Sequence, residues 1–278
     1  MICVLRLACE LCREPEFFYF RYYLTCPARM NTTLETPAFA HLAAQTMREQ
    51  LFCFSTGSEF LRHLLAHASS TAFSSEYLRQ FKQSWNCLVD DDYVKSFTKR
   101  QRRIAKYVHC SEGLVLSLDN TVSTSTRYNT ISGGQVRTYP YAEVQFLHNP
   151  IFQAILDCDI ACASAYLGTI DLKISCQIFR LIAREDGTPT PITVGKHKDE
   201  TEWVALHFID AQNIVGAETY LYDNEMVFLP GSDIVLSSFL DTLYFDDTKI
   251  FHETTAIAQK EAKQFAARDV LIITAEAQ

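Results

Sequence analysis

The sequence predicts an α+β fold: a jelly-roll sandwich of two β-sheets set behind supporting helices. Two observations predict it. Apolar residues recur at three-to-four-residue spacing as far as about Tyr107, and after Ser111 the pattern changes to short alternating runs broken by Gly, Asn, Asp and Pro. A third sets the scale: 278 residues with 48% hydrophobic and only 21% charged content can bury a sizeable core.

Taken in order, the first residues are apolar only in places. Arg6, Glu10, Arg13, Glu14, Glu16 and Arg21 interrupt them, so they form neither a membrane span nor a secretory signal. Composition shifts at Met30, and residues 1–29 read as an extension that contributes little to the fold. Residues 30–110 read as the helical support, forming a single domain with a core over 111–278. Thr36 caps a first helix with Pro37 at its first position, and Phe39, Leu42, Ala43, Met47 and Leu51 make its apolar stripe. A second helix starts near Ser58, and a third after Ser74-Ser75 carries Leu78, Phe81 and Trp85. His63 and His67, one turn apart on the second, read as structural. Lys99-Arg100-Gln101-Arg102-Arg103 reads as a solvated helix face or turn. Strands are expected over 113–119, 135–146, 172–183, 202–210, 218–223, 233–237, 249–253 and 268–275. Leu172, Ile174, Cys176 and Ile178 show the period of two most clearly.

Composition also excludes functions. A formal charge of -8 opposes general attraction to phosphate backbones, and no basic stretch carries regularly placed aromatics, so nucleic acid is not an expected partner. Nor is a membrane. The 10 cysteines are unevenly spread, with none after Cys176, the pattern of a reduced, cytoplasmic interior. Cys9 and Cys12 stand at metal-ligand spacing but lack the second pair that a zinc ribbon needs.

One constellation carries chemistry. His197 and Asp199 flank a single residue just before the strand expected from Glu202, and on extended backbone both side chains point the same way. His252, in a strand much further along, completes a two-imidazole, one-carboxylate set, the protein's share of a non-haem Fe(II) site with three open positions. Arg268 opens the last expected strand, where a guanidinium can hold a carboxylate by two parallel hydrogen bonds. His207, with apolar flanks, is assigned to the core.

The longer context sharpens this reading. Pro191 to Asp199, Val204 to His207, Gln212 to Glu218, Asp246-Asp247 ahead of His252, and Arg268 to Ile272 resemble the bacterial 2-oxoglutarate/Fe(II) dioxygenase family that contains L-isoleucine and related free amino-acid hydroxylases. Upstream, Gly133-Gly134 with Arg137 and Tyr139 is similar too. The sequence departs from the family at Glu200, where a Gly is usual, at Gly216-Ala217 in place of Gly-Gly, and at Gln212 in place of a common Arg. The resemblance implies a double-stranded β-helix, the cupin-like form of the jelly roll, with iron on His197, Asp199 and His252. It implies 2-oxoglutarate anchored by Arg268, O2 as the other cosubstrate, and hydroxylation of an sp3 carbon of a free L-amino acid with an aliphatic side chain, with release of succinate and CO2 and with no protein nucleophile or general base needed. Arg127 and Arg137 are the candidates for the substrate carboxylate, and Trp203 for the apolar wall. The alternatives are a hydroxylase of a peptide or carrier-bound amino acid, and a metal-binding jelly-roll module without turnover. Oligomeric state is not legible.

Overall fold

The computed structural model describes residues 37–68, 71–131 and 133–278. The expectations for residues 1–29, for Cys9 and Cys12 and for a cap at Thr36 lie outside the described residues.

The first helix, α1 (Ala38–Gln50), runs from Pro37 and turns Ala40, Ala43, Ala44 and Met47 inward. A short strand, β1 (Phe52–Ser55), leads to α2 (Gly57–His67). There Thr56 and Glu59 form a reciprocal capping box that satisfies two of the helix's free N–H groups. Ser74 caps α3 (Ser75–Gln83), which passes into a 3-10 turn at Ser84–Cys87 holding the buried Trp85. On α2, His63 stacks between Phe39 and His67, a structural use.

The helical character expected as far as Tyr107 ends at Cys87. The next elements are β2 (Val89–Asp90), β3 (Arg100–Cys110), β4 (Gly113–Ser117), β5 (Thr121–Val122) and β6 (Arg137–Thr138). The basic run is therefore not a solvated helix face. It opens β3, an inner strand, and Arg102 is 2% exposed. The strand expected over 135–146 shrinks to β6, because the chain turns into the short helix α4 (Val144–Leu147).

The long helix α5 (Pro150–Leu167) follows, with Asn149 accepting from the Ile151 N–H, Pro150 in its first turn and Gly168 in the left-handed conformation closing it. It is apolar and long enough to cross a bilayer by length and composition, yet here it packs on α1 and the main sheet, burying Ile151, Phe152, Ile155 and Leu156. The remaining strands are β7 (Leu172–Ile182), β8 (Trp203–Gln212), β9 (Ile214–Gly216), β10 (Thr219–Asp223), β11 (Thr242–Phe245), β12 (Ile250–Thr254), β13 (Ile257–Gln259) and β14 (Ala267–Ala277). The stretch expected as a strand over 233–237 contributes one bridge, Ile234 to Thr219.

The main sheet is antiparallel in the order β1-β11-β8-β14-β7-β3-β2, with β4 also on β3. Its period of two sorts the side chains onto two faces. Trp203, Ala205, Ile209, Leu271, Ile273 and Cys176 meet α1 and α5 in the larger core. Val204, Leu206, Phe208, Phe179, Val270 and Phe245 face the opposite way and meet Leu221, Ile234 and Ile250. Opposite lie the short pairs β10–β12 and β9–β13, to which the chain before β8 is tied by the bridges His197 to His252 and Thr190 to Ile257, and the separate pair β5–β6. The two layers make the jelly roll, and the space between them is where the site forms.

Candidate active site

The site begins with a backbone pairing. His197 and His252 exchange both N–H···O bonds at 3.0 Å, which sets their side chains next to each other with ring centroids 4.2 Å apart. The His197 Nδ1 lies 3.1 Å from the Gly195 carbonyl and the His252 Nδ1 faces Asp247 at 3.4 Å, so both Nε2 atoms are directed at the same point. Asp199 meets them there, one carboxylate oxygen 3.7 Å from the His197 Nε2 and the other 3.6 Å from the His252 Nε2. All three ligand atoms lie within 4.8 Å of one another, a spacing that lets a single ion reach all of them.

The three groups shift one another's protonation. Burial and the neighbouring His252 push the His197 imidazole below its usual pKa. Burial would raise the Asp199 carboxyl, but the two imidazoles, with Arg100 and Arg102, hold it below the ordinary range. Burial likewise opposes protonation of His252, and Asp247 and Asp199 outweigh it, leaving its pKa raised. An anionic Asp199 beside two nitrogen donors is the donor set that suits Fe(II).

The loop carrying Asp199 is pinned from several sides. The Asp247 carboxylate accepts from the Glu200 N–H at 2.7 Å, and the Lys198 ammonium donates to the Asn224 side-chain oxygen and the Thr248 carbonyl. Glu200, at φ 62°, accepts from the Ser125 N–H with its side chain, tying this loop to the 121–138 segment. A glycine in its place would lack that tie.

Beside the triad a cavity of about 170 Å³ runs between the sheets, room for small molecules rather than a folded chain. Phe179, Val204, Leu206, Phe245, Val270 and Ile272 line its apolar part. Arg268 lines it too, 2% exposed, with Nε and one Nη lacking any hydrogen-bond partner. Burial pushes that guanidinium down to about 10. A buried cation with spare donors is stabilised by an incoming carboxylate.

The other expected site residues are placed differently. Arg137 is buried and lines the cavity, donating to the Thr124 hydroxyl at 3.1 Å. Arg127 is exposed, lies over the Tyr128 ring and does not line the cavity. Trp203 lies on the other face of the sheet, fully buried against Tyr244, so the residue expected to wall the pocket belongs instead to the helix-side core. The period of two explains the difference: Val204 and Leu206 are the β8 residues that face the cavity. His207, also on the helix side, lies 2.7 Å from the Asp159 carboxylate and 2.9 Å from the Thr242 hydroxyl as a core residue. Sequence reasoning missed Arg100 and Arg102, whose spacing of two ahead of Ile104 was the available signal.

Comparison with known proteins decides the family. A family model described as 2OG-Fe dioxygenase matches residues 82–274. The chain belongs to that family. The dioxygenase uses Fe(II), 2-oxoglutarate and O2, and the α+β jelly roll is the frame that holds them. It is 27% identical to a 3(1)-hydroxy-L-isoleucine 4-dioxygenase of Pantoea ananatis over 71% of this chain and 80% of that one. It is 28% identical to an L-isoleucine-4-hydroxylase of Bacillus thuringiensis over 71% of this chain and 82% of the other. Among solved structures, a bsmA homologue from Methylobium petroleophilum superposes with a TM-score of 0.71 at 23% identity, covering 86% of this chain and 93% of that one. This last likeness extends the agreement in fold over more of the dioxygenase than the sequence matches cover.

Proposed function

We propose that this dioxygenase hydroxylates an sp3 carbon of a free L-amino acid with an aliphatic side chain, with iron on His197, Asp199 and His252 and the far carboxylate of 2-oxoglutarate on Arg268. The observation that carries the reading is the convergence of the three ligand atoms within 4.8 Å beside a cavity that also receives a buried guanidinium with spare donors. The two relatives named for isoleucine chemistry support the substrate class, and the apolar lining supports an aliphatic side chain.

When bound, iron and 2-oxoglutarate supply the activation of O2, with succinate and CO2 released and one oxygen atom delivered to the substrate. The chain's own residues bind, orient and exclude water. His197 and His252 present Nε2 because Gly195 and Asp247 face their Nδ1 atoms. Arg268 fixes one end of the cosubstrate. Phe179, Val204, Leu206 and Phe245 keep the reacting carbon in a dry wall. One methylene in such a wall changes discrimination by only about 1 to 3 kcal/mol, so several related amino acids should react.

The test is to incubate the Fe(II)-loaded protein with 2-oxoglutarate and each standard amino acid, following succinate and the mass of the amino acid. Aliphatic amino acids should stimulate succinate formation and gain one oxygen, and His197→Ala or Asp199→Ala should abolish both while the protein stays folded. Equal reaction of an α-amide or a peptide would overturn the free amino acid as substrate, and turnover surviving in either variant would remove the proposed ligands.

A further inference from the structure

Four arginines, Arg100, Arg102, Arg137 and Arg268, line the cavity against a single lining carboxylate, Asp199, among the described residues. They are not equivalent. Arg268 belongs to the cosubstrate end in the reading above. The Nε and one Nη of Arg100 bond to the Asp91 carboxylate at 2.9 and 2.6 Å. Arg137 donates to Thr124.

Arg102 is different. Its guanidinium is clamped face-on, 3.6 Å from the centroid of the Tyr139 ring and 4.6 Å from that of Phe179, so only the edge of its plane is left for polar contacts. One Nη bonds to the Gln177 side-chain oxygen at 2.5 Å, and the other stands 3.8 Å from the Asp91 oxygen that Arg100 already uses. Its Nε has no hydrogen-bond partner, and neither has the Thr98 hydroxyl, a second buried donor lining the same cavity. Burial, Arg100 and Arg137 together depress its pKa to about 9, a measure of how positive this corner is.

Sheet register separates this corner from Arg268. Arg102 is paired with Phe179 and Phe179 with Val270, two residues along β14 from Arg268. Two strands across and two residues along put the two Cα atoms about 12 Å apart. The two arginines thus enter the cavity from different strands, and in the reading above the five-carbon diacid is assigned to the triad and Arg268.

We infer that Arg102, held over the Tyr139 ring and tied to Gln177, with the Thr98 hydroxyl beside it in the lining, is the receptor for the substrate's carboxylate. The inference rests on the cavity being the dioxygenase site proposed above. A planar fork with fixed orientation recognises a carboxylate by geometry as well as charge. Among the described residues the lining offers the substrate's ammonium no carboxylate other than Asp199, so the anionic end dominates recognition. The amino group contributes less, and the des-amino analogue of isoleucine, 3-methylpentanoate, binds within about tenfold of the amino acid.

The experiment titrates the anaerobic Fe(II)·2-oxoglutarate protein calorimetrically with L-isoleucine, L-isoleucinamide and 3-methylpentanoate, in the wild type, Arg102→Gln and Arg102→Lys. Affinity for 2-oxoglutarate, measured separately, reports on folding and on Arg268. Arg102→Gln should weaken both carboxylates by about ten- to a hundredfold, the worth of a charge-assisted hydrogen bond, and leave 2-oxoglutarate within about twofold. Arg102→Lys should fall between, keeping the charge without the fork. Should the Gln variant fail to bind 2-oxoglutarate at all, the Lys variant decides, and wild-type affinity for L-isoleucine there overturns the inference. Unchanged L-isoleucine binding in Arg102→Gln overturns it while leaving the amino-acid reading intact. Binding of 3-methylpentanoate but not of L-isoleucine, lost in Arg102→Gln, sinks the free amino acid and sustains Arg102. If the wild type binds none of these carboxylates, both ideas fall.

Discussion

At the scale of single residues, two carboxylates divide the work around the metal position. Asp199 faces the two imidazoles at the proposed metal position, whereas Asp247, fully buried, reaches both the His252 ring and the backbone that follows Asp199. Outer partners of this kind commonly account for ten- to a hundredfold in metal affinity. Asp247→Ala should therefore raise the Fe(II) dissociation constant by about that factor, read by competition with a colorimetric chelator. An unchanged constant would make Asp247 a loop anchor alone. Arg268→Ala should remove charge-assisted contacts of roughly 1.5 to 3 kcal/mol and raise the KM for 2-oxoglutarate about ten- to a hundredfold, with kcat at saturation much less affected. The convergence of His197, Asp199 and His252 was legible in the sequence because ligand chemistry restricts residue types and extended backbone restricts spacing. Arg102 was not. A run of five mostly basic residues looks solvated until one knows that alternate members turn inward against aromatic rings.

At the scale of elements, what was legible followed from signals a few residues long. The start of α3 was marked by Ser74-Ser75 and that of α2 lies one residue before the expected Ser58, while β7, β8, β12 and β14 were marked by alternation. α5 escaped because it touches α1 on one side and the sheet on the other, so its apolar residues encircle it and leave no stripe to count. β11 escaped because a strand of four buried residues has no polar face to alternate with. Trp203 shows the cost of misjudging a face, since a one-residue shift in register moves a side chain to the other side of the sheet. Trp203→Ala should destabilise the fold by about 3 to 5 kcal/mol in a denaturant titration, as large-to-small changes in a core do, while the folded fraction keeps its KM for 2-oxoglutarate. A raised KM with unchanged stability would return Trp203 to the cavity wall.

At the scale of the whole molecule, the composition change at Met30 and the helix beginning at Ala38 lead to the expectation that a chain starting at Met30 folds and keeps its turnover. Insoluble protein would show that the first 29 residues contribute to the core. The second layer of the sandwich is the more fragile one, being assembled from short pairs and single bridges, whereas β14 pairs along its length with β7. His197 and His252 come from segments far apart in the chain and meet at one of those bridges. An ion shared between them would work as a reversible staple across a long loop, and at a hundredfold excess over its dissociation constant it would add about 2.7 kcal/mol to the folded state. Stripping it with a chelator should lower the melting temperature by about 5 to 10 °C and speed amide exchange first in β10 and β12. Iron supply would then govern how long the protein lasts as well as how fast it works, so in iron-poor cells proteolysis would clear the idle enzyme sooner than the loaded one.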